Sequence, residues 1–224
     1  MMRAYWFSRR DGTTDYLTMP AAIGNTDRFG GTPILCQCGL HGGLTPFDAL
    51  QYACGTEMWE VELGGKIVKG FDKCAAQERR YLRRVDLTAV CRRFAAQQAL
   101  SVIGCLDVPD LIREYLLDEA DGKDRADLRV EAGNVSPNNV SYTAVALTRC
   151  HAKANAWAVV YWATREEAAV AARETAVAVE AVWVGRFPDM AGKEDAAKAF
   201  NAMAIEALDS AYRWPTEGVT DDAS

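Results

Sequence analysis

The chain predicts an α+β protein: a small mixed sheet with a packed helix in the N-terminal part, and a mainly helical C-terminal half. Three patterns carry this expectation. Residues 4–8 (AYWFS) are aromatic-rich, and residues 58–63 alternate Met58, Glu60, Glu62 with Trp59, Val61, Leu63, the two-residue period of strands. After Asp72 the apolar period moves toward 3.6. Between Asn138 and Gly185 there is no Gly or Pro and alanine is abundant, which favours helix.

Composition narrows the classes. The chain has 224 residues, half of them hydrophobic and a quarter charged, the profile of a globular protein with a sizeable core. Its net charge of −6 gives no general attraction to nucleic acid or to an anionic membrane. No apolar run reaches the ~18 residues of a membrane-spanning helix. The opening MMRAYWFSRRDG lacks an apolar stretch of secretory length. The expected location is therefore the cytoplasm, without membrane association.

Seven cysteines suit a reducing compartment, where thiols are mostly reduced and buried. Cys36, Cys38 and His41 form a C-x-C-x-x-H string, but a closed zinc site needs about four ligands and only Cys54 lies nearby. No metal or other cofactor is expected. The thiols read as buried groups flanking a tight glycine turn.

In order along the chain, residues 4–8 are the first strand. Asp11-Gly12, Gly24-Asn25 and Gly30-Gly31 mark loops. Ile34–Cys38 reads as a short strand, followed by a Gly39–Gly43 turn whose three glycines permit positive φ or close backbone approach. Thr45 is an N-cap with Pro46 in the first helical position. That helix runs to Ala53, burying Phe47, Leu50 and Tyr52. Residues 58–63 form a strand with one buried face, Gly64-Gly65 a turn, and Lys66–Lys69 a further strand. Leu87, Val90, Cys91, Phe94 and Gln98 share a helical face. Asp107 caps a helix entered through Pro109, with Leu111, Ile112, Tyr115 and Leu116 inward. Residues 118–140 lose periodicity and read as a linker or long loop. A small-residue stripe follows, through Cys150, Trp157, Tyr161, Thr164, Ala168, Ala171, Thr175 and Val182. It is one long helix, or a hairpin broken near Thr164–Glu167. A last amphipathic helix covers residues 193–212, and Trp214-Pro215 stops it. The implied organisation is a signature domain with following helices at 1–117, the linker at 118–140, a helical module at 141–214 and a tail at 215–224.

The Cys-bearing strand, Gly39-Leu40-His41, Pro46-x-Asp48-Ala49-Leu50-x-Tyr52-Ala53, Val61-Glu62-Leu63, Gly65-x-Ile67 and Asp72-Lys73 together resemble an uncharacterised family of bacteriophage and prophage proteins. Cys54 and Gly42-Gly43 depart from that family's pattern. The resemblance implies an alanine-rich helical region after the signature, a host-cell cytoplasmic location and a phage accessory role. It supplies no catalytic residues.

Three function classes follow. The first is an accessory protein that binds a host or phage protein, such as a defence factor of the CRISPR type, or that serves in the virion or its assembly. His41, Asp48 and Tyr52 in the signature and Trp157, Tyr161 and Trp162 in the helical half are its candidate contacts, with self-association through the helical half as a further expectation. The second is an ADP-ribosyltransferase-like enzyme or inactive relative, with His41 at a dinucleotide and Glu60 or Glu62 supplying a carboxylate. The third is anion binding by Arg79, Arg80, Arg83 and Arg84, read as i, i+4 pairs along one helix face. Against it stand the negative net charge and the acidic neighbours Glu78 and Asp86, which favour a solvated, ion-paired face.

Overall fold

The computed structural model describes residues 1–9, 20–135, 159–165, 167–175 and 192–212. It is an α+β protein. Five strands form the sheet: β1 (Met2–Phe7), β2 (Thr26–Arg28), β3 (Leu40–Gly43), β4 (Glu57–Lys69) and β5 (Lys73–Asp86). Around it lie α1 (Pro46–Leu50), α2 (Thr88–Val102), α3 (Asp110–Ala120), α4 (Ala126–Val135), the helical residues 159–163 (α5) and 168–175 (α6), and α7 (Gly192–Ala211).

Every pairing among these strands is antiparallel, rather than the mixed set expected. β4 and β5 form a long hairpin. The free edge of β4 takes β1, with Ala4 opposite Val61. The free edge of β5 takes β2 and then β3, with Leu40 opposite Ala76. Tyr5 of β1 meets Gly43 of β3, which closes β5–β3–β1–β4 into a ring.

Because successive side chains alternate, the ring has an inside and an outside. Ala4, Trp6, Trp59, Val61, Leu63, Cys74, Ala76 and Tyr81 pack inside. Phe7 and Met58 point the other way, into a second core with Phe47, Leu50, Cys91, Phe94, Phe200, Ala204 and Leu208. Both faces of β4 are thus buried where one was expected, and Glu60 is only 3% exposed. Phe94 and Phe200 stack edge to face at 5.2 Å, with Phe47 at 6.5 and 6.1 Å from them. Across α2 lies a third core, of Ala95, Ala99 and Val102 with α3, α4 and α5.

Several local expectations change. Ile34–Cys38 is not a strand but a tight turn closed by an Ile34–Cys38 bridge, and the glycine stretch behind it is strand β3. Its glycines serve close approach: a Cβ on Gly43 would lie 2.4 Å from the Ala49 nitrogen. Gly64-Gly65 is no turn, because β4 runs through it. Gly65, at φ +66, takes up an extra residue between the Gly64 and Ile67 pairings as a bulge. The α1 helix is shorter than expected and leaves Tyr52 51% exposed. The segment after Asp72 is strand, not helix, up to Asp86; helix begins at Thr88. Pro109 rather than Asp107 stands at the N-cap of α3. Residues 126–135 are helical within the stretch expected as a loop; α4 packs on α3 through Leu128 and Ala132.

In the helical half, Thr164, Arg165 and Glu167 are non-helical, so the stripe breaks where a hairpin requires. Tyr115 ties α3 to this break by donating to the Ala163 carbonyl at 3.1 Å. Thr164, Ala168, Ala171 and Thr175 are buried within the chain. Trp157, Cys150, His151, Val182 and the 215–224 tail lie outside the described residues. No described helix is long and apolar enough to cross a membrane.

Candidate functional site

A cleft of about 240 Å³ opens on the outer face of β1 and β3, beside the turn that follows α1. β1 contributes Tyr5, Trp6 and Phe7, with Arg9 just beyond its end. The 34–38 turn contributes Cys36 and Gln37, and β3 contributes His41 with Gly42 and Gly43. Ala49 of α1, then Tyr52 and Cys54 of its turn, form one wall, and Lys73 at the start of β5 completes it.

Local rules place each group. Thr45 and Asp48 make a capping box: the Thr45 hydroxyl accepts from the Asp48 amide at 3.1 Å, and Asp48 accepts from the Thr45 amide at 3.0 Å. Asp48 is thereby spent on fixing α1 and does not line the cleft. Glycine at position 43 lets α1 lie directly on β3, so the following turn arrives over the sheet edge with Tyr52. On β3, Gly42 faces the ring interior toward Ala4, so His41 takes the outer face.

Tyr52, Asp72 and Lys73 form the rim. The Tyr52 hydroxyl donates to Asp72 at 2.6 Å, and the Lys73 ammonium stands 4.0 Å from the centre of the Tyr52 ring. Burial and the Asp72 hydrogen bond push the Tyr52 pKa up. Hydrogen bonding to Tyr52 pushes the Lys73 pKa up, so the ammonium keeps its charge to higher pH. At the back, burial and then the nearby Glu60 push the Tyr5 pKa up. Phe71, fully exposed at the tip of the β4–β5 hairpin, and Ile34, 45% exposed, stand on the segments that border this rim.

The lining carries Arg9, Lys73 and His41 and, among the described residues, no carboxylate. In a chain of net charge −6 this is a local reversal of sign. Asp72 stands at the rim, held by Tyr52.

The four arginines do not form the expected helix face. They lie on β5, and a bulge at Leu82 splits them between its faces. Arg79 is 1% exposed inside the ring, its guanidinium 4.1 Å from the centre of the Trp6 ring. It donates to the Tyr81 hydroxyl at 2.9 Å and to the His41 carbonyl at 3.0 Å; Tyr81 in turn donates to Asp27 at 2.6 Å. Arg79 therefore holds the strand that carries His41. Arg83 bridges Glu60 at 2.6 Å and Asp209 at 2.9 Å, and Arg84 pairs with Glu57 at 3.2 Å. Arg80 is exposed on the opposite face from Arg79.

Glu60 is bound by both Arg3, at 3.0 Å, and Arg83, and neither it nor Glu62 lines the cleft beside His41. Tyr161 and Trp162 stack edge to face at 5.2 Å with Arg165 3.9 Å over Tyr161, in the helical half rather than at the cleft. Among the described residues no three His, Cys, Asp or Glu side chains gather as a metal site.

Arg9, Gln37, Lys73 and Tyr5 are lining residues that the sequence did not single out, and Cys36 was read only as a buried thiol. Cys36 is exposed rather than buried, and its φ of 62° is unusual for a residue with a side chain. Asp72-Lys73, already part of the motif, was the one available signal.

The fold and cleft define an α+β protein with a ring of antiparallel strands and a cation-lined groove on its outside. Residues 20–93, which run from before β2 into α2, match the family model of a domain of unknown function, DUF7666. No curated protein and no solved structure matches the chain.

Proposed function

We propose that the protein acts by binding another protein, taking an acidic segment with an apolar or aromatic side chain into the cleft between β1, β3 and Tyr52. The observation that carries this reading is the lining itself: Arg9 and Lys73 with His41 among aromatic walls and, among the described residues, no lining carboxylate, on an acidic chain. Such a surface selects anions and repels cations. Size supports the same reading. Small-molecule pockets occupy about 300–1,000 Å³, whereas this one holds about 240 Å³, room for a side chain but not for a whole dinucleotide. Neither Glu60 nor Glu62 lines the cleft with His41, and Glu60 is engaged by Arg3 and Arg83, which argues against the ADP-ribosyltransferase reading. Exposed Phe71 and Ile34 beside the cleft supply apolar area for the rest of a partner segment.

The phage or prophage origin in this proposal rests on the motif likeness of residues 34–84. Under it the partner is a host or phage protein. Affinity selection from a random peptide library tests the binding reading. Selected sequences should pair an aromatic or large apolar residue with Asp or Glu, and Lys73→Glu should fail to retain them. Selection of basic sequences, or equal retention by Lys73→Glu, would refute it.

A further inference from the structure

One face of the chain carries both a recess and a side chain able to fill one. Phe71 is fully exposed at the tip of the β4–β5 hairpin, in a tight turn closed by the Gly70 amide on the Lys73 carbonyl at 2.7 Å. Two residues on, Lys73 lines the cleft. The 34–38 turn packs against the same tip: a Cβ on Gly70 would lie 3.1 Å from a Leu35 methyl. Ile34 and Tyr52, 45% and 51% exposed, therefore stand with Phe71 around one opening. Single apolar side chains in water are ordinary, but several around a recess mark a contact surface.

We propose that this face pairs with itself in a two-fold dimer, the Phe71 ring of each copy seated in the cleft of the other. The inference rests on the reading that the cleft takes an aromatic side chain next to an acid, and it names a second copy of this chain as a source. Symmetry follows from the placement. A two-fold interface needs one patch that is its own complement, and a knob beside a hole on the same face is such a patch. When one Phe71 enters the partner's cleft, the rotation brings the partner's Phe71 to the first cleft, so assembly closes at two. Knob and hole on opposite faces would instead propagate as a filament. The cleft, at about 240 Å³, has room for one side chain. Asp72 follows Phe71 and gives one oxygen to the Tyr52 hydroxyl. A carboxylate has a second oxygen, which would arrive beside the partner's Lys73. Lys66 and Lys69, exposed on β4, give the hairpin the other sign as well. Removal of the Phe71 ring from water, not net charge, therefore drives the contact. A filled cleft is closed to other segments, so dimerisation and capture of another protein compete for one site.

Sedimentation velocity of the full chain, over a series from micromolar to submillimolar concentration, tests the pairing. The unaltered protein should pass from monomer to dimer, with no larger species. Phe71→Ser changes a side chain with no packing to lose, so the fold should stand while the dimer weakens about tenfold or more. A second measurement locates the contact. Photoreactive benzoylphenylalanine in place of Phe71, in a mixture of isotope-labelled and unlabelled copies, should give hybrid cross-links to cleft residues such as Tyr5 or Cys54. A monomer throughout the series, a dimer that Phe71→Ser leaves unchanged, or hybrid cross-links only outside the cleft would overturn the inference. A monomer that still retains acidic aromatic peptides sinks the dimer and leaves the partner-binding reading standing. A Phe71-dependent dimer that retains no such peptide does the reverse.

Discussion

Asn201 accepts a hydrogen bond from the Phe47 backbone amide at 2.8 Å, joining α7 to α1 across 154 positions. The first amides of a helix have no partner within it, so α1 draws one from the far end of the chain. This bond and the Phe47–Phe94–Phe200 stack hold α1 between the sheet and α7. Asn201→Ala orphans the Phe47 amide and should cost about 1–2 kcal/mol in urea unfolding. Asn201→Asp keeps an acceptor at a helix N-terminus and should retain most of that stability. Equal losses in the two variants would show that the bond contributes nothing.

Arg79 is the most deeply committed charge in the ring, 1% exposed and hydrogen-bonded to Tyr81 and the His41 carbonyl. Arg79→Leu leaves Asp27, the Tyr81 hydroxyl and the His41 carbonyl without it, and breaking such a buried group should cost about 3–5 kcal/mol. Tyr81→Phe removes one hydroxyl and should cost about 1–2 kcal/mol. Denaturant titration of both variants checks the order, and a smaller loss for Arg79→Leu would contradict the assignment.

Gly43→Ala should be among the more damaging single-methyl changes, because the added Cβ meets the α1 backbone at 2.4 Å. Overpacking of this kind costs about 1–3 kcal/mol and should displace α1 with its Tyr52 turn. Thermal melting should show the loss, and the Tyr52 environment should change by NMR.

Cys91 gives the fold an alkaline limit. Burial pushes its thiol up to about 12, against 9.0 in the unfolded chain. Between those values the unfolded state releases a proton that the folded state keeps, so rising pH favours unfolding. Its contribution is fully present below pH 9.0 and is lost on rising toward about 12. Urea midpoints measured through this window should fall less steeply in Cys91→Ala, and parallel slopes would contradict the assignment.

Much of this architecture could be read from residue patterns. The Thr45-Pro46 helix start, the inward Phe47 and Leu50, and the Cys91–Phe94 face all follow from local capping and periodicity. Errors on the strands trace largely to how the ring is closed and covered. The ring buries one face of β4 and the helices cover part of the other, so β4 lost its solvated side and Glu60 is paired with two arginines. Likewise the β5 arginines have helical spacing but sit on a strand, and the Leu82 bulge, which determines their faces, has no local signature. His41 and Tyr52 were visible as motif residues. Their meeting with Lys73 was not, because it depends on the non-local pairing of Gly43 in β3 with Lys73 in β5, across the intervening α1 and β4.

The central claim is that charge at Lys73 selects what enters the cleft. Calorimetric titration of one selected acidic peptide, and of its Lys-substituted counterpart, into the protein and into Lys73→Glu tests it directly. The acidic peptide should weaken about tenfold or more on Lys73→Glu, and the Lys-substituted peptide should gain. Equal affinities of each peptide for the two proteins would contradict the claim.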